Sequence, residues 1–373
     1  HREAGASVGS RDFVLSGMKS MYVGRYGYPV RQCIEISKLT RVPARPAGWD
    51  CDGDDISYVS NASQHPSVLR ERLIAEAGAA GTVIGACCDA IDEIYARYAT
   101  LHTAADVGDV VRATLDRLRV RPTGELQPTI DLLFDRYNNT LYRQQALSWA
   151  AEIAERRGLR LSLYGSGWES HPTLARYARG PVQYGSALEE LTRRSRLNLQ
   201  IVPFYCMHQR LLDGLVAGGF FLVRDHPSAR AMHALADFIH DHLPAEIDRV
   251  DTARTHCPPA DRARLESLLS ACRIISDWGD PVAVVRGAID MGTIVPHQPP
   301  MPHLDDVLFD SPASLEERIV RFLDDRPARD TIASKQRAVV EQRLSYRAGL
   351  SRVLSRVSDL LADEPAERGL GAV

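Results

Sequence analysis

The sequence predicts an α/β fold, a Rossmann-like parallel sheet with flanking helices and helical insertions. Three apolar runs of strand length support this prediction, at Leu161–Tyr164, 197–202 and 220–223. Each run ends near a Gly or a Pro and alternates with segments of helical period, which is typical of βα units. A parallel strand is covered on both faces, so a continuous apolar run suits it well.

The segment before residue 54 predicts two short strands, 12–15 and 32–37, and then a linker with Pro and Gly over 41–54. A new unit starts with the strand 56–59. The polar turn 60–67 leads from that strand into a helix. Because strand-to-helix turns expose free backbone N–H groups, this turn is a candidate seat for an anion.

Most of the remaining chain reads as helix. Residues 78–150 are predicted to be mainly helical, although 82–90 fits a strand equally well, and Gly158 is expected to cap a helix over 144–157. Capping boxes starting at Ser186 and Ser314 predict two further helix starts.

Two later segments flank the last predicted strand, 307–309. Residues 225–302 form a polar, Pro-containing insertion with helices over 229–242 and 261–271, read as a lid or a partner surface. A long Arg-rich helical tail with one break is expected over 328–361.

Composition excludes several classes of function. The chain has 373 residues and a net charge of −3, which gives no reason to expect nucleic acid or another polyanion as a partner. No run of about 18 apolar residues predicts a transmembrane segment. Seven cysteines without regular spacing do not form a disulfide framework, so we expect a cytoplasmic location. The chain starts at His1 rather than at Met, and we expect further sequence upstream.

The predicted sheet also places a candidate binding site. In open α/β sheets, ligands bind outside the carboxyl ends of the strands. This rule points to residues 165–168, 184–186, 203–210 and 218–219.

The turn Gly165-Ser166-Gly167-Trp168 follows a predicted strand. Its glycines would let the backbone approach a ligand closely. It is not a dinucleotide fingerprint, because Ser170 stands where a third Gly is expected. The alternative is a plain turn at the exit of a strand.

The segment 206–219 carries a second candidate. A helix from about Met207 would have its positive end at the ligand edge, which favours an anion by roughly 0.3–1 kcal/mol. His208 lies in its first turn, and Arg210 could add a bidentate contact to phosphate. Asp213 could accept hydrogen bonds from sugar hydroxyls. The alternative is an Arg210–Asp213 ion pair on the helix surface.

These motifs follow one another in an order known from a protein family. The pattern His208-x-Arg210-x-x-Asp213-x-x-x-x-Gly218-Gly219, followed by an apolar strand, resembles the donor-binding helix of group 1 glycosyltransferases of the spore-maturation CgeB-like kind. The segment LYGSGW at 163–168 resembles that family's strand end "YG-x-GW", and LNL at 197–199 resembles its "INL" strand. The resemblance covers about residues 54–360.

The resemblance implies a GT-B fold of two Rossmann-like domains, with a nucleotide-sugar bound in the C-terminal one. Arg210 would then meet the donor diphosphate, and Asp213 would replace the family's usual Glu on the ribose. The base would lie near Gly165, Trp168 and Tyr184. The residues that we predict to bind the donor are Asn61, Ser63, Gly165, Gly167, Trp168, Tyr184, His208, Arg210, Asp213, Gly218 and Gly219.

By the same resemblance, residues 1–50 would be the remnant of an acceptor-side domain plus a linker. Residues 51–362 would bind the nucleotide-sugar, and 363–373 would be a flexible tail. Most of an acceptor domain is absent from this chain, and that domain usually supplies the base, so we name no catalytic base.

The function implied is metal-independent transfer of a sugar, with no bound cofactor besides the donor, to an unknown acceptor. Two alternatives stay open: a nucleotide-sugar-binding module without activity, and an unrelated Rossmann-like enzyme that uses NAD or another cofactor. Asp237, His240, Asp241 and His242 carry metal-binding atoms, but their pattern favours a solvated helix end.

Overall fold

The structure is a computed structural model. It describes residues 12–16, 22–23, 26–29, 32–36, 38–43, 53–98, 100–121, 124–203, 207–272 and 280–362. The chain divides into two compact units, which we call the sheet unit (43–229 and 301–337) and the second unit (1–42, 230–300 and 338–373). The domain boundaries given above stay a prediction, and the predicted tail 363–373 lies outside the described residues.

The strands in chain order are β1 (Val14–Ser16), β2 (Cys33–Glu35), β3 (Ile56–Val59), β4 (Leu161–Tyr164), β5 (Ala178–Gly180), β6 (Leu197–Gln200), β7 (Phe221–Arg224) and β8 (Leu308–Phe309). Strands β3 to β8 form one six-stranded sheet in the order β5-β4-β3-β6-β7-β8. Every pair in this sheet is parallel. The predicted Rossmann-like parallel sheet with helical insertions is confirmed.

The helices in chain order are α1 (Pro66–Glu76), α2 (Gly81–Ala96), α3 (Ala104–Leu118), α4 (Gln127–Leu132), α5 (Asn139–Arg157), α6 (Ser186–Arg194), α7 (Gln209–Val216), α8 (Ser228–His242), α9 (Val250–His256), α10 (Arg262–Ala271), α11 (Pro281–Asp290), α12 (Leu304–Val307), α13 (Pro312–Asp324), α14 (Arg326–Val339) and α15 (Tyr346–Ala362). Wider π-type turns at Leu133–Asn138 and Val340–Leu344 join α4 to α5 and α14 to α15. None of the described helices has the length and hydrophobicity needed to cross a bilayer.

The strand order reverses next to β3. The chain runs outward from β3 through β4 to β5, and then returns to the other side of β3 for β6, β7 and β8. Neighbouring loops diverge at such a reversal and leave a crevice outside the carboxyl ends of the strands. The topology therefore directs attention to the loops after β3 and β6.

Helices cover both faces of the sheet. The ring of Phe220, just before β7, lies 4.8 Å from that of Phe322 in α13. The next residue, Phe221, lies against Gly214 of α7, where a Cβ atom would overlap its ring. Because successive strand residues point to opposite faces, α7 and α13 lie on opposite sides of the sheet.

Helices α1 to α5 fill the long connection between β3 and β4. The ambiguous segment 82–90 belongs to helix α2, and the reason is its burial pattern. Ile84, Cys88, Ile91 and Tyr95 are buried at spacings of three and four, which is the period of a helix with one covered face. The predicted helix end at Gly158 is also confirmed, with a left-handed φ of 65°.

Two predicted capping boxes are corrected. Helix α6 starts at Ser186 as expected, but its N-cap is Gly185, and no side chain caps it. Helix α13 starts earlier than expected, after the cap Ser311, whose hydroxyl accepts the N–H of Ser314. Pro312 fits the first helical position because it has no N–H to satisfy there.

The second unit, described by itself, contains the parallel pair β1 and β2. Ile34 of β2 packs with Met291, Val353 and Leu360 in a small apolar core. Thr40 also forms a parallel bridge with Ser345. The strands predicted at 12–15 and 32–37 are therefore present, and the predicted break in the C-terminal helix falls at the wide turn before α15.

Candidate functional site

The loops after β3 and β4 are joined by backbone hydrogen bonds. Ser60 N–H donates to Tyr164 O (2.8 Å), and Ala62 N–H donates to Ser166 O (2.9 Å). The side-chain oxygen of Asn61 accepts the N–H of Ser166 at 3.0 Å. Asn61 is exposed, and this bond fixes the orientation of its amide beside the crevice.

Gly165 is required by this junction. Its φ is +135°, and a Cβ atom would lie 2.8 Å from the N atom of Asn61 and closer still to the carbonyl of Ser60. Only Gly combines this backbone angle with so close an approach. The junction between the two loops therefore explains why position 165 is Gly, and no ligand is needed for that explanation.

The amide of Gly167 already has an anionic partner. Its N–H lies 3.1 Å from Oε2 of Glu169, two residues along the chain. A ligand phosphate at this amide would have to displace that carboxylate. The expected contact between Gly167 and a donor stays a prediction.

Trp168 supports the loops from inside. Its side chain is 1% exposed, and its ring N–H donates to Ser60 O at 2.6 Å. The ring meets Tyr58 of β3 edge-on, with 6.2 Å between centroids. The expectation that Trp168 borders the base stays a prediction, although the buried ring itself offers the base no surface.

Arg210 lies next to Tyr58 of β3. Its guanidinium carbon is 5.4 Å from the centre of the Tyr58 ring. The Nη1 atom of Arg210 and the hydroxyl of Tyr58 are both buried, and neither has a hydrogen-bond partner among the described residues. No ion pair joins Arg210 to Asp213, so the predicted alternative of a surface pair is wrong.

The start of α7 is capped by its own residues. His208 is the N-cap, and its Nδ1 accepts the N–H of Arg210 at 3.4 Å. The N–H of Leu211 donates to His208 O at 2.9 Å. These two first-turn amides are therefore already hydrogen-bonded within the protein. Any anion affinity here must come mainly from the Arg210 side chain and the helix dipole.

Both carboxylate oxygens of Asp213 have donors. Gln209 Nε2 donates to Oδ1 at 2.7 Å, and the hydroxyl of Tyr184 donates to Oδ2 at 3.3 Å. Tyr184 is 79% exposed. The structure thus brings Tyr184 and Asp213 together.

Gly218 and Gly219 lie at the opposite edge of the sheet. They precede β7, and in a parallel sheet the residues before a strand lie at its amino end. A Cβ atom on Gly219 would lie 2.5 Å from a methyl group of Thr192, so Gly219 allows close packing against α6. The expectation that this pair lines the ligand edge is wrong.

Ser63 contacts Arg143, a residue that the sequence analysis did not select. Its hydroxyl accepts a hydrogen bond from Nη1 of Arg143 in α5 at 2.8 Å. The Nε atom of Arg143 is buried without a hydrogen-bond partner, and no described carboxylate pairs with this residue. Arg143 lies far from Ser63 in sequence, and no local pattern in the sequence of α5 reveals this contact.

Arg224, the last residue of β7, is a second missed cation. It is 2% exposed, and its guanidinium lies 3.8 Å from the Tyr142 ring centre and 4.7 Å from that of Trp149. It donates to the carbonyl of Tyr142 and to the side chain of Gln145. Burial lowers the pKa of Arg224 from its ordinary value. In the sequence, the feature that could have indicated Arg224 is its position as a charged residue at the end of an apolar strand.

His226 follows Arg224 and is also buried. Its ring centroid lies 4.8 Å from that of His102, and its Nδ1 accepts the N–H of Ser228 at 3.3 Å. Burial, reinforced by His102, lowers the pKa of His226 to about 3. This imidazole is therefore neutral at physiological pH.

The described side chains at this edge suit an anion better than a metal. Arg143 and Arg210 supply positive charge and hydrogen-bond donors, and Tyr184 supplies an aromatic face. In comparisons with protein families, curated proteins and solved structures, nothing matches this chain. The resemblance to CgeB-like glycosyltransferases accordingly stays a prediction from sequence.

Proposed function

We propose that the protein binds a nucleoside diphosphate-sugar at the carboxyl edge of the sheet and transfers the sugar to an acceptor. The observation that carries the proposal is the state of Arg210. This half-buried cation has no described carboxylate partner and a buried nitrogen without a hydrogen bond. Burying such a group unpaired destabilises a protein, and an anionic ligand gives a reason for keeping it.

The neighbouring residues match the parts of such a donor. Arg210 would contact the diphosphate, and Arg143, which is bonded to Ser63 in the loop after β3, would add positive charge. The exposed ring of Tyr184 would stack on the base, and Asp213, already held by that residue's hydroxyl, would accept a ribose hydroxyl. Base–aromatic stacking contributes roughly 1–3 kcal/mol in known cases.

The chemistry proposed is displacement at the anomeric carbon of the donor sugar. The bond from that carbon to the diphosphate oxygen breaks as the acceptor oxygen bonds to the same carbon, and the proton of the acceptor hydroxyl passes to solvent water. Negative charge develops on the departing diphosphate, and a preorganised guanidinium stabilises that charge more than it stabilises the bound donor.

Calorimetric titration of the chain with UDP, GDP and NAD tests the binding part. We expect one nucleoside diphosphate to bind, and NAD to bind more weakly or not at all. Preferred binding of NAD would support a cofactor enzyme instead. Absence of binding by all three would contradict the proposal.

Release of free sugar or transfer from the preferred donor tests the chemical part. Turnover above that of Arg210→Ala would support a transferase. Tight diphosphate binding without turnover, in a protein that includes any upstream sequence, would support the alternative of a binding module.

A further inference from the structure

Three side chains of the second unit converge on one another. Nδ1 of His240 lies 3.0 Å from Oδ1 of Asp241, and Nε2 of His297 lies 2.9 Å from the same oxygen. All three candidate ligand atoms lie within 4.8 Å of one another. His240 and Asp241 end α8, whereas His297 comes from a turn that is more than fifty residues further along the chain.

The position of His297 is fixed by its backbone. Its φ is +61°, a left-handed conformation that is uncommon for residues other than Gly. Its N–H donates to Oδ1 of Asp237, one helical turn before Asp241, at 2.6 Å. The turn is therefore held against α8 in a way that directs the imidazole to the Asp241 carboxylate.

The sequence pattern alone did not reveal this arrangement. The helix contributes Asp237, His240, Asp241 and His242, which read as a solvated helix end. His242 turns away and lies 3.5 Å from Asp261 instead. The ligand missing from the pattern is His297, which only the fold brings next to α8.

We propose that His240, Asp241 and His297 form a binding site for a divalent transition metal ion, with Zn²⁺ as the best fit. Two imidazoles and one carboxylate are a donor set that suits Zn²⁺. Neighbouring ligand atoms around tetrahedral Zn²⁺ lie roughly 3.3 Å apart for bonds of about 2.0–2.1 Å. The two imidazole nitrogens lie at a similar distance, 3.0 and 2.9 Å, from Oδ1 of Asp241. The three side chains are 41–56% exposed, so water can complete the coordination.

In this site, Asp237 is a positioning residue. It holds the backbone of His297 and contacts no metal itself, so its loss should weaken binding less than loss of a ligand does. The proposal does not depend on the nucleotide site, because none of these residues belongs to the sheet unit.

The test uses the full chain without a purification tag, stripped with a chelator and titrated with Zn²⁺ by calorimetry. We expect one Zn²⁺ per chain, and at least tenfold weaker binding in His240→Ala and in His297→Asn. Asn tolerates a positive φ, so the second variant keeps the turn while removing the imidazole. The matched control is His256→Ala, which removes an exposed His of the same unit and should bind as the wild type does.

A second readout separates these ligands from thiols. Co²⁺ should give visible ligand-field absorption without the charge-transfer bands of thiolate coordination. Circular dichroism without metal checks that each variant is folded. Undetectable Zn²⁺ binding by the wild type, thiolate bands with Co²⁺, or unchanged affinity in both His240→Ala and His297→Asn would overturn the proposal.

Discussion

The guanidinium of Arg210 lies 5.4 Å from the ring centre of Tyr58, and each side chain carries a buried polar atom without a described hydrogen-bond partner. The pair brings together α7 and β3, which flank the reversal in strand order. The contact of a cation with an aromatic face stabilises the pair by roughly 0.5–2 kcal/mol. The two buried polar atoms still lack hydrogen bonds, which is unfavourable. Under the proposed function, Arg210 is the residue of this pair that would pair with the diphosphate.

Arg143 should share in anion binding. We expect Arg143→Ala to weaken binding of the preferred nucleoside diphosphate by at least threefold, because one charge-assisted contact contributes roughly 1 kcal/mol. Isothermal titration measures the effect. Arg112→Ala is the matched control, since it removes an exposed Arg that pairs with Asp109 on α3. Equal affinity of Arg143→Ala and wild type would show that this Arg only holds the loop.

Gly165 should be intolerant of a side chain. We expect Gly165→Ala to lower the free energy of unfolding by about 3 kcal/mol, because a positive φ and overlap with the Ser60 carbonyl act together. Urea denaturation measures this change. Gly158→Ala is the comparison, since Gly158 also has a positive φ but nothing lies within 4 Å of its added Cβ. That variant should lose only about 1 kcal/mol. Equal losses of unfolding free energy in the two variants would contradict the close contact between Gly165 and the Ser60 carbonyl.

His226 should make stability depend on pH. Burial lowers its folded pKa to about 3, whereas an unfolded His titrates near 6.5. Between these pH values the unfolded chain binds a proton at His226 and the folded chain does not. The contribution of the neutral His226 to the free energy of unfolding is therefore complete above pH 6.5 and is lost as the pH falls toward 3. His102, Tyr142 and Arg224 are the titratable neighbours of this ring.

The matching experiment compares wild type with His226→Gln. Between pH 6.5 and 4.5, wild type should lose more stability than the variant, by up to about 1.4 kcal/mol per pH unit. Urea unfolding at both pH values measures the difference. Parallel pH profiles for the two proteins would mean that His226 is not held neutral by burial.

Much of the fold follows from local patterns in the sequence. The strands at Ile56–Val59 and Leu161–Tyr164 were predicted at their observed limits, because buried parallel strands are apolar runs bounded by turns. The edge strand Ala178–Gly180 was missed. It has three residues, is half-exposed, and contains no β-branched or aromatic residue to mark it.

Predictions for the site were limited by topology. Arg210 could be placed near the ligand edge because its segment follows the predicted strand 197–202. Gly218 and Gly219 were placed there by the same rule for strand ends, although residues before a strand lie at the amino edge. Arg143 lies on a helix far from the crevice in sequence, and no local pattern indicates that this helix packs beside the β3 loop.

The most direct test of the proposed function is calorimetric titration of wild type, Arg210→Ala and Arg112→Ala with the nucleoside diphosphate that binds best. Arg112 is the matched control because it is 54% exposed and pairs with Asp109 on α3. We expect Arg210→Ala to bind at least tenfold more weakly, a loss of about 1.4 kcal/mol, while Arg112→Ala binds as wild type does. Unchanged affinity in a folded Arg210→Ala protein would contradict a diphosphate site at this edge of the sheet.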